Sequence, residues 1–215
     1  MLMLLYGVPL SPFVRKVILS LKLLKINYEL KPVIPFDLPK DFDRLNPLRK
    51  VPVLVDGDLT IPDSTIICLY LNDQYGQAHQ LYPVEPKLKA QAMWLEEYAD
   101  SRVMEVLGPP LFLERVVKQK FKKQPADEQR IAKAINQDIP PVLDYLESQV
   151  PTSDFLFDTF GIVEISIGSQ FLNARYANYE VDPMRWPILA AYLERIWQEP
   201  LFKECMLVDE KLLSS

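Results

Sequence analysis

Ser11 stands immediately before Pro12, and Val14, Val17, Ile18, Leu21 and Leu24 then recur at helical spacing. A serine there can cap the helix, with proline at the first helical position. The same hydroxyl can instead donate a hydrogen bond to an anion above the helix end, where the backbone dipole adds to the attraction. On the local sequence the cap alone suffices, and both readings stand. Further along, Asp63-Ser64 opens a second apolar helical run, so Ser64 reads as an N-cap at another anion-attracting helix start. Val51-Pro52 precedes a strand, where proline serves as an ordinary strand starter. Lys50, just before it, reads as readily as a solvated surface lysine.

Other chemistries are closed by what the chain lacks. His79 is the only histidine, which nearly excludes a histidine triad or a multi-histidine metal site. Cys68 and Cys205 lie far apart with no CxxC spacing, so neither a disulfide framework nor a thioredoxin-type redox pair is indicated. The 215 residues are 49% hydrophobic and 25% charged, enough for one large core or two modest ones. A net charge of −5 built from mixed signs argues against a nucleic-acid partner and for small molecules or proteins. The apolar opening MLMLLYGV has no basic leader and meets Pro9 early, so it reads as a buried strand. No membrane span is expected, and the protein reads as cytoplasmic.

The elements around these residues follow from periodicity. Met3 to Tyr6 reads as a strand, the run after Ser11 as a helix, and Tyr28 to Val33 as a strand parallel to the first. Val33 to Lys50 is rich in proline and charge and reads as a loop with one short helix. Asp56-Gly57-Asp58 joins Val53–Val55 to Leu59–Ile61 as a tight hairpin, and a helix follows from Ser64 to Gly76. The first 76 residues thus form βαβ, loop, ββα, a mixed four-stranded sheet. Gln77 to Pro86 reads as a linker. From 87 to 215 only helices are predicted: Lys87 to about Lys122 with a break at Gly108-Pro109-Pro110, Asp127 to Gln149 with a break at Pro140-Pro141, a buried central helix from Ile162 to Ala177, then Pro187 to Glu199 and Leu201 to Leu207.

Three motifs in this order, Ser11-Pro12-Phe13-Val14-Arg15-Lys16-Val17, Asn46-Pro47-Leu48-Arg49-Lys50-Val51-Pro52-Val53-Leu54 and Asp63-Ser64-Thr65-Ile66-Ile67, resemble the cytosolic glutathione S-transferase family. The match covers the whole chain in layout, and the early serine resembles the serine-type, bacterial-like branch. The resemblance implies a thioredoxin-like glutathione-binding domain, an all-helical domain that supplies most of the electrophile pocket, and a homodimer. It implies a cis Val51-Pro52 bond, with the Val51 backbone pairing the peptide as an added strand would. It further implies that Ser64 and nearby amides hold the glutamyl carboxylate, Asp63 the glutamyl ammonium and Lys50 the glycyl carboxylate. Asp63 is shorter than the glutamate or glutamine common there.

Glutathione would be co-substrate, with no metal, and the reaction would be attack of its thiolate on a hydrophobic electrophile. Peroxide reduction or isomerisation would use the same thiolate. A thiol of pKa about 8.5 is only about 3% ionised at pH 7. Lowering that pKa by two units takes roughly 2.7 kcal/mol. A hydrogen bond to a charged acceptor contributes roughly 1.5–3 kcal/mol, and a helix end adds roughly 0.3–1 kcal/mol. Ser11 is therefore sufficient as a donor, with Tyr6 as the alternative because other branches use a tyrosine there. Without cysteine at position 11, mixed-disulfide chemistry is not expected at that position. Val8, Leu10, Met104, Leu107 and Leu111 are candidates for the apolar wall of the electrophile pocket. At Gly161, glycine replaces the usual hydroxyl of a capping box, with Glu164 three residues on. The rival reading is a non-catalytic binding or regulatory protein that keeps this fold.

Overall fold

A computed structural model describes residues 2–214, which divide into two compact units. One comprises the residues up to Val84 together with those from Leu201 onward, and the other is Glu85–Pro200.

In the first unit, β1 (Met3–Gly7) runs parallel to β2 (Tyr28–Pro32) and antiparallel to β3 (Val53–Asp56), which pairs with β4 (Leu59–Ile61). The sheet order is β2-β1-β3-β4. This is the mixed sheet predicted, with Gly57 at a positive φ of 63° in the hairpin turn, as a two-residue loop requires. Helix α1 (Pro12–Leu23) connects the parallel pair and packs beside α2 (Ser64–Tyr75). β1 alternates in burial, Met3, Leu5 and Gly7 inward and Leu4 and Tyr6 half-buried, which is the period-two signature of a strand. Gly7 is obligatory. Its φ is +151°, and an added Cβ would lie 2.4 Å from Val14 Cγ2, so its bare backbone is what lets α1 come down onto the strand.

Residues 77–84 are not a free linker. Leu81 and Tyr82 are buried, and the Leu81 N–H donates to Asn72 Oδ1 of α2 at 2.8 Å. The segment clusters with the first unit, and the division falls after Val84. A larger departure concerns α9 (Pro200–Ser214), which the sequence reading gives to the helical domain and cuts off at Leu207. It belongs to the first unit. Phe202, Cys205 and Asp209 form its buried stripe, and Asp209 Oδ2 accepts from Arg15 Nε at 3.1 Å and Nη2 at 2.7 Å.

The second unit is helical throughout. α3 (Pro86–Tyr98) continues through a wider π turn (Ala99–Val103), α4 (Met104–Leu107) and a π-helical stretch (Gly108–Phe121). Gly108-Pro109-Pro110 widens the helix here where a break is predicted, because each proline lacks the N–H of the i→i−4 ladder and the register shifts instead. α5 (Glu128–Lys133) runs through a second π turn (Ala134–Asp138) to α6 (Pro140–Gln149), with the proline pair at its start. α7 (Ile162–Tyr176) is the central helix, buried from Ile162 through Ala174, and α8 (Pro187–Gln198) packs on it. Gly161 caps α7. Glu164 Oε2 accepts from the Gly161 N–H at 2.9 Å, and Oε1 accepts from Leu156 N–H and Tyr192 O–H. Burial pushes the Glu164 carboxyl above the usual range against those three donors.

Glu114 is likewise a buried carboxylate. It accepts from Lys118 Nζ at 2.6 Å, the Asp127 N–H at 2.9 Å and Arg130 Nη1 at 3.2 Å. Burial works to raise its pKa, and these donors together carry it below the usual value.

Candidate functional site

The strand register brings the three motifs to one end of the sheet. Tyr6 at the exit of β1 pairs with Val53 at the entrance of β3, and Leu54 pairs with Ile61 at the exit of β4. The loop before Ser11, the bond before Pro52 and the start of α2 therefore converge, although more than fifty positions separate the first from the last. The Val51-Pro52 bond is cis, and Val51 is buried while Lys50 is exposed.

Ser11 is the N-cap of α1, in extended backbone, with its N–H on Val8 O at 3.0 Å. Its Oγ accepts from Val14 N–H at 3.5 Å, the long limit of a hydrogen bond. Accepting there commits no proton, so the O–H remains a donor. Tyr6 is half-buried within the paired strand, on the face opposite Leu5, whereas Ser11 stands beyond the strand at a helix end.

At α2 the cap is Asp63, not Ser64. Asp63 Oδ1 accepts from Thr65 and Ile66 N–H groups, both at 3.0 Å, and the side chain is exposed. Ser64 is the first helical residue and is buried. The reason is chemical, since aspartate is at least as good a cap as serine and stands first in the chain. The consequence is a division of labour. Asp63 Oδ2 is the oxygen left for a cation, and the Ser64 N–H and hydroxyl are the donors left for an anion.

Asn46 joins two of the motifs. Its buried Nδ2 donates to Lys50 O at 2.8 Å and to Pro62 O at 3.2 Å, while Oδ1 accepts from Leu48 N–H at 2.9 Å. One side chain thus fixes the segment entering the cis bond and the segment entering α2. Lys16 adds the third tie, donating from α1 to Thr65 Oγ1 on α2 at 2.9 Å. Sequence reasoning gives Asn46 and Lys16 no role. Asn before proline is a turn signal, and it could have marked Asn46, but the partner carbonyl sixteen residues away has no local signature.

Of the candidate pocket residues, Val8 and Leu10 in the first unit and Met104 in the second are half-exposed. Leu107 and Leu111 are 1% and 0% exposed and leave no surface to offer a ligand. A cleft of about 360 Å³ opens in the helical unit, lined by Phe171, Tyr179, Val181, Pro187, Leu193 and Trp197 among others, and includes none of these five candidates. Among the described residues no helix is long and apolar enough to cross a membrane.

Two family models match the chain, the glutathione S-transferase N-terminal domain over residues 5–79 and the glutathione S-transferase C-terminal domain over 125–195. Glutathione S-transferase U2 of Arabidopsis thaliana is 30% identical over 96% of this chain and 89% of its own. Among solved structures, an epsilon-class glutathione S-transferase from the housefly Musca domestica superposes with a TM-score of 0.81 at 26% identity, over 98% of this chain and 94% of that one. A glutathione S-transferase from Rhodospirillum rubrum reaches a TM-score of 0.83 at 24% identity, over 95% of this chain and 91% of that one.

Proposed function

The chain belongs to the glutathione S-transferase family, and from that premise we propose how its own residues carry out the transfer. Glutathione lies across the sheet end described above. The Val51 backbone pairs with its central residue, Asp63 Oδ2 takes the glutamyl ammonium, and Ser64 takes the glutamyl carboxylate. Lys50, being exposed, adds a screened attraction to the glycyl carboxylate. The ammonium is needed between Asp63 and the glutamyl carboxylate, because two carboxylates side by side at the head of α2 would repel.

Ser11 donates its O–H to the sulfur, and the positive end of α1 adds to the stabilisation of the thiolate. The thiolate then attacks the electrophilic carbon. A carbon–sulfur bond forms, the leaving group departs with its electron pair, and the thiol proton goes to solvent. The observation that carries this reading is Asn46, whose single amide joins the cis-proline segment to the start of α2. Such a brace suits a ligand held by both. Ser11 rather than Tyr6 is the donor in our reading, which makes this a serine-type, bacterial-like enzyme. The serine part rests on the cap geometry. We further infer a homodimer in the cytoplasm, a hydrophobic electrophile seated near Val8 and Leu10, and a capacity for peroxide reduction or isomerisation through the same thiolate.

Conjugation of glutathione to an activated aryl chloride, followed by absorbance, tests the reading. Saturable dependence on glutathione, together with its binding by calorimetry, is expected. Absence of both product and binding would overturn it in favour of a non-catalytic binding protein.

A further inference from the structure

Arg15 and Lys16 are consecutive cations on α1, and each is only 1% exposed, which is rare for charged side chains. Lys16 serves the sheet end through Thr65. Arg15 points to α9 instead, where its Nε and Nη2 both grip Asp209 Oδ2 from 194 positions away. A buried ion pair contributes little net stability over well-packed apolar residues, so stability alone is a poor reason for this one. What it supplies is geometry, because two N–H groups of one rigid guanidinium converge on a single carboxylate oxygen and so fix the distance between the two helices at that point. The Arg15 N–H donates to Ser11 O at 2.8 Å, so the residue that α9 holds is bonded through the backbone to Ser11.

We propose that the Arg15–Asp209 pair is a positioning device for the transfer reaction, by which α9 sets the place of α1 and so aims the Ser11 hydroxyl at the sulfur. The proposal rests on the reading of Ser11 as the thiolate's donor. Arg15 and Asp209 touch neither glutathione nor the electrophile in this scheme; they act through Ser11. The surroundings agree. Cys205, one turn before Asp209 on α9, is buried with it, and the exposed pair of Lys22 with Glu204 at 2.6 Å adds a second tie between the same two helices. Charge is not the agent, because Asp209 neutralises Arg15. Freeing the guanidinium would lower a nearby thiol's pKa, whereas losing the alignment of Ser11 would raise it. The two accounts differ in sign.

The test is the ultraviolet titration of the bound glutathione thiol in wild type, Ser11→Ala, Arg15→Lys and Asp209→Asn, each below its own melting transition. Arg15→Lys keeps the charge and loses the two-point grip, which makes it the decisive variant if Asp209→Asn folds poorly. Expected is a rise in thiol pKa of about one unit in both ion-pair variants, roughly a tenfold loss of thiolate at low pH. The KM for glutathione should change less than about twofold, since the groups holding the peptide lie on other elements. If Ser11→Ala raises the pKa and Arg15→Lys does not, the pair is structural only and the proposal fails. A lowered pKa in Asp209→Asn overturns it equally. An unchanged pKa in Ser11→Ala removes the reading of Ser11 itself, and this proposal with it.

Discussion

Ser11→Ala separates a helix cap from a thiolate donor, because the two roles predict effects of different kind. As a cap, the hydroxyl accepts at 3.5 Å, so its loss belongs at the low end of the usual range, about 0.5 kcal/mol. For a chain of this size that lowers the melting temperature by about 1–2 °C. As a donor to sulfur, the hydroxyl contributes roughly 1.5–3 kcal/mol. Its removal raises the bound thiol pKa by roughly one to two units. Rate does not follow ionisation alone, since a less acidic thiol gives a stronger nucleophile, with a Brønsted slope of about 0.45. Well below both pKa values the variant is then slower by roughly 3- to 12-fold, while well above them it is faster by roughly 3- to 8-fold. The two pH–rate profiles should cross below the variant's thiol pKa. Stopped-flow conjugation under saturating glutathione, with the thiolate followed directly by absorbance, measures both. Parallel profiles with an unchanged thiol pKa would refute the donor role. Ser11→Asp is the control. It keeps a good cap and the melting temperature, yet puts an anion beside the sulfur and raises the thiol pKa further than alanine does.

Asn46→Ala removes the brace between Lys50 O and Pro62 O and should cost roughly 2–3 kcal/mol, with a raised KM for glutathione. A stability loss with KM unchanged would show that the brace does not align the site. Gly7→Ala places a Cβ 2.4 Å from Val14 Cγ2 at a φ reserved for glycine, for roughly 3 kcal/mol and a fall of roughly 6–12 °C in melting temperature. Adding Val14→Ala should recover part of that loss in calorimetry, and no recovery would mean that the backbone dihedral alone is at fault. Glu114 has a folded pKa below its unfolded value. Its contribution is therefore present above the unfolded carboxylate pKa of about 4.3 and is lost as the pH falls through the folded value. Glu114→Gln should flatten the acid limb of urea-unfolding stability between about pH 5 and 3, and an unchanged slope would put the acid sensitivity elsewhere.

The parts legible in the sequence are those with a local cause. β1, α1, the Gly57 hairpin and the central helix α7 are written in alternation, helical spacing and one glycine at a turn. Ser11, Val51-Pro52 and Asp63-Ser64 are legible as a set because their order along the chain carries the resemblance. The parts missed depend on a distant partner. Phe202, Cys205 and Asp209 mark α9 as one-sided, but periodicity does not say against what, and a carboxylate on a helix reads as surface until Arg15 is seen beneath it. Leu81 and Tyr82 look like loop residues because two prolines follow them closely and the side chain that ties their backbone, Asn72, lies on α2. Asp63 took the cap from Ser64 by a contest between two good capping residues, which composition alone does not decide. Leu107 and Leu111 show the converse, since apolar character suits a pocket wall and a packed core equally.

The chain leaves the first unit at Val84 and re-enters it at Leu201. Translation therefore makes Arg15 long before it makes Asp209, and the entire helical unit is synthesised in the interval. Until then the nascent first unit carries a cation meant for a dry interior before Asp209 exists to meet it, a costly arrangement for an unfinished fold. The sheet and α1 can form early, but their final closure is one of the most non-local events in the molecule, and such contacts form slowly. A growing chain of this protein would then hold α1 loosely until α9 emerges, so that the Ser11 end of that helix reaches its final place only after the whole helical unit has been made.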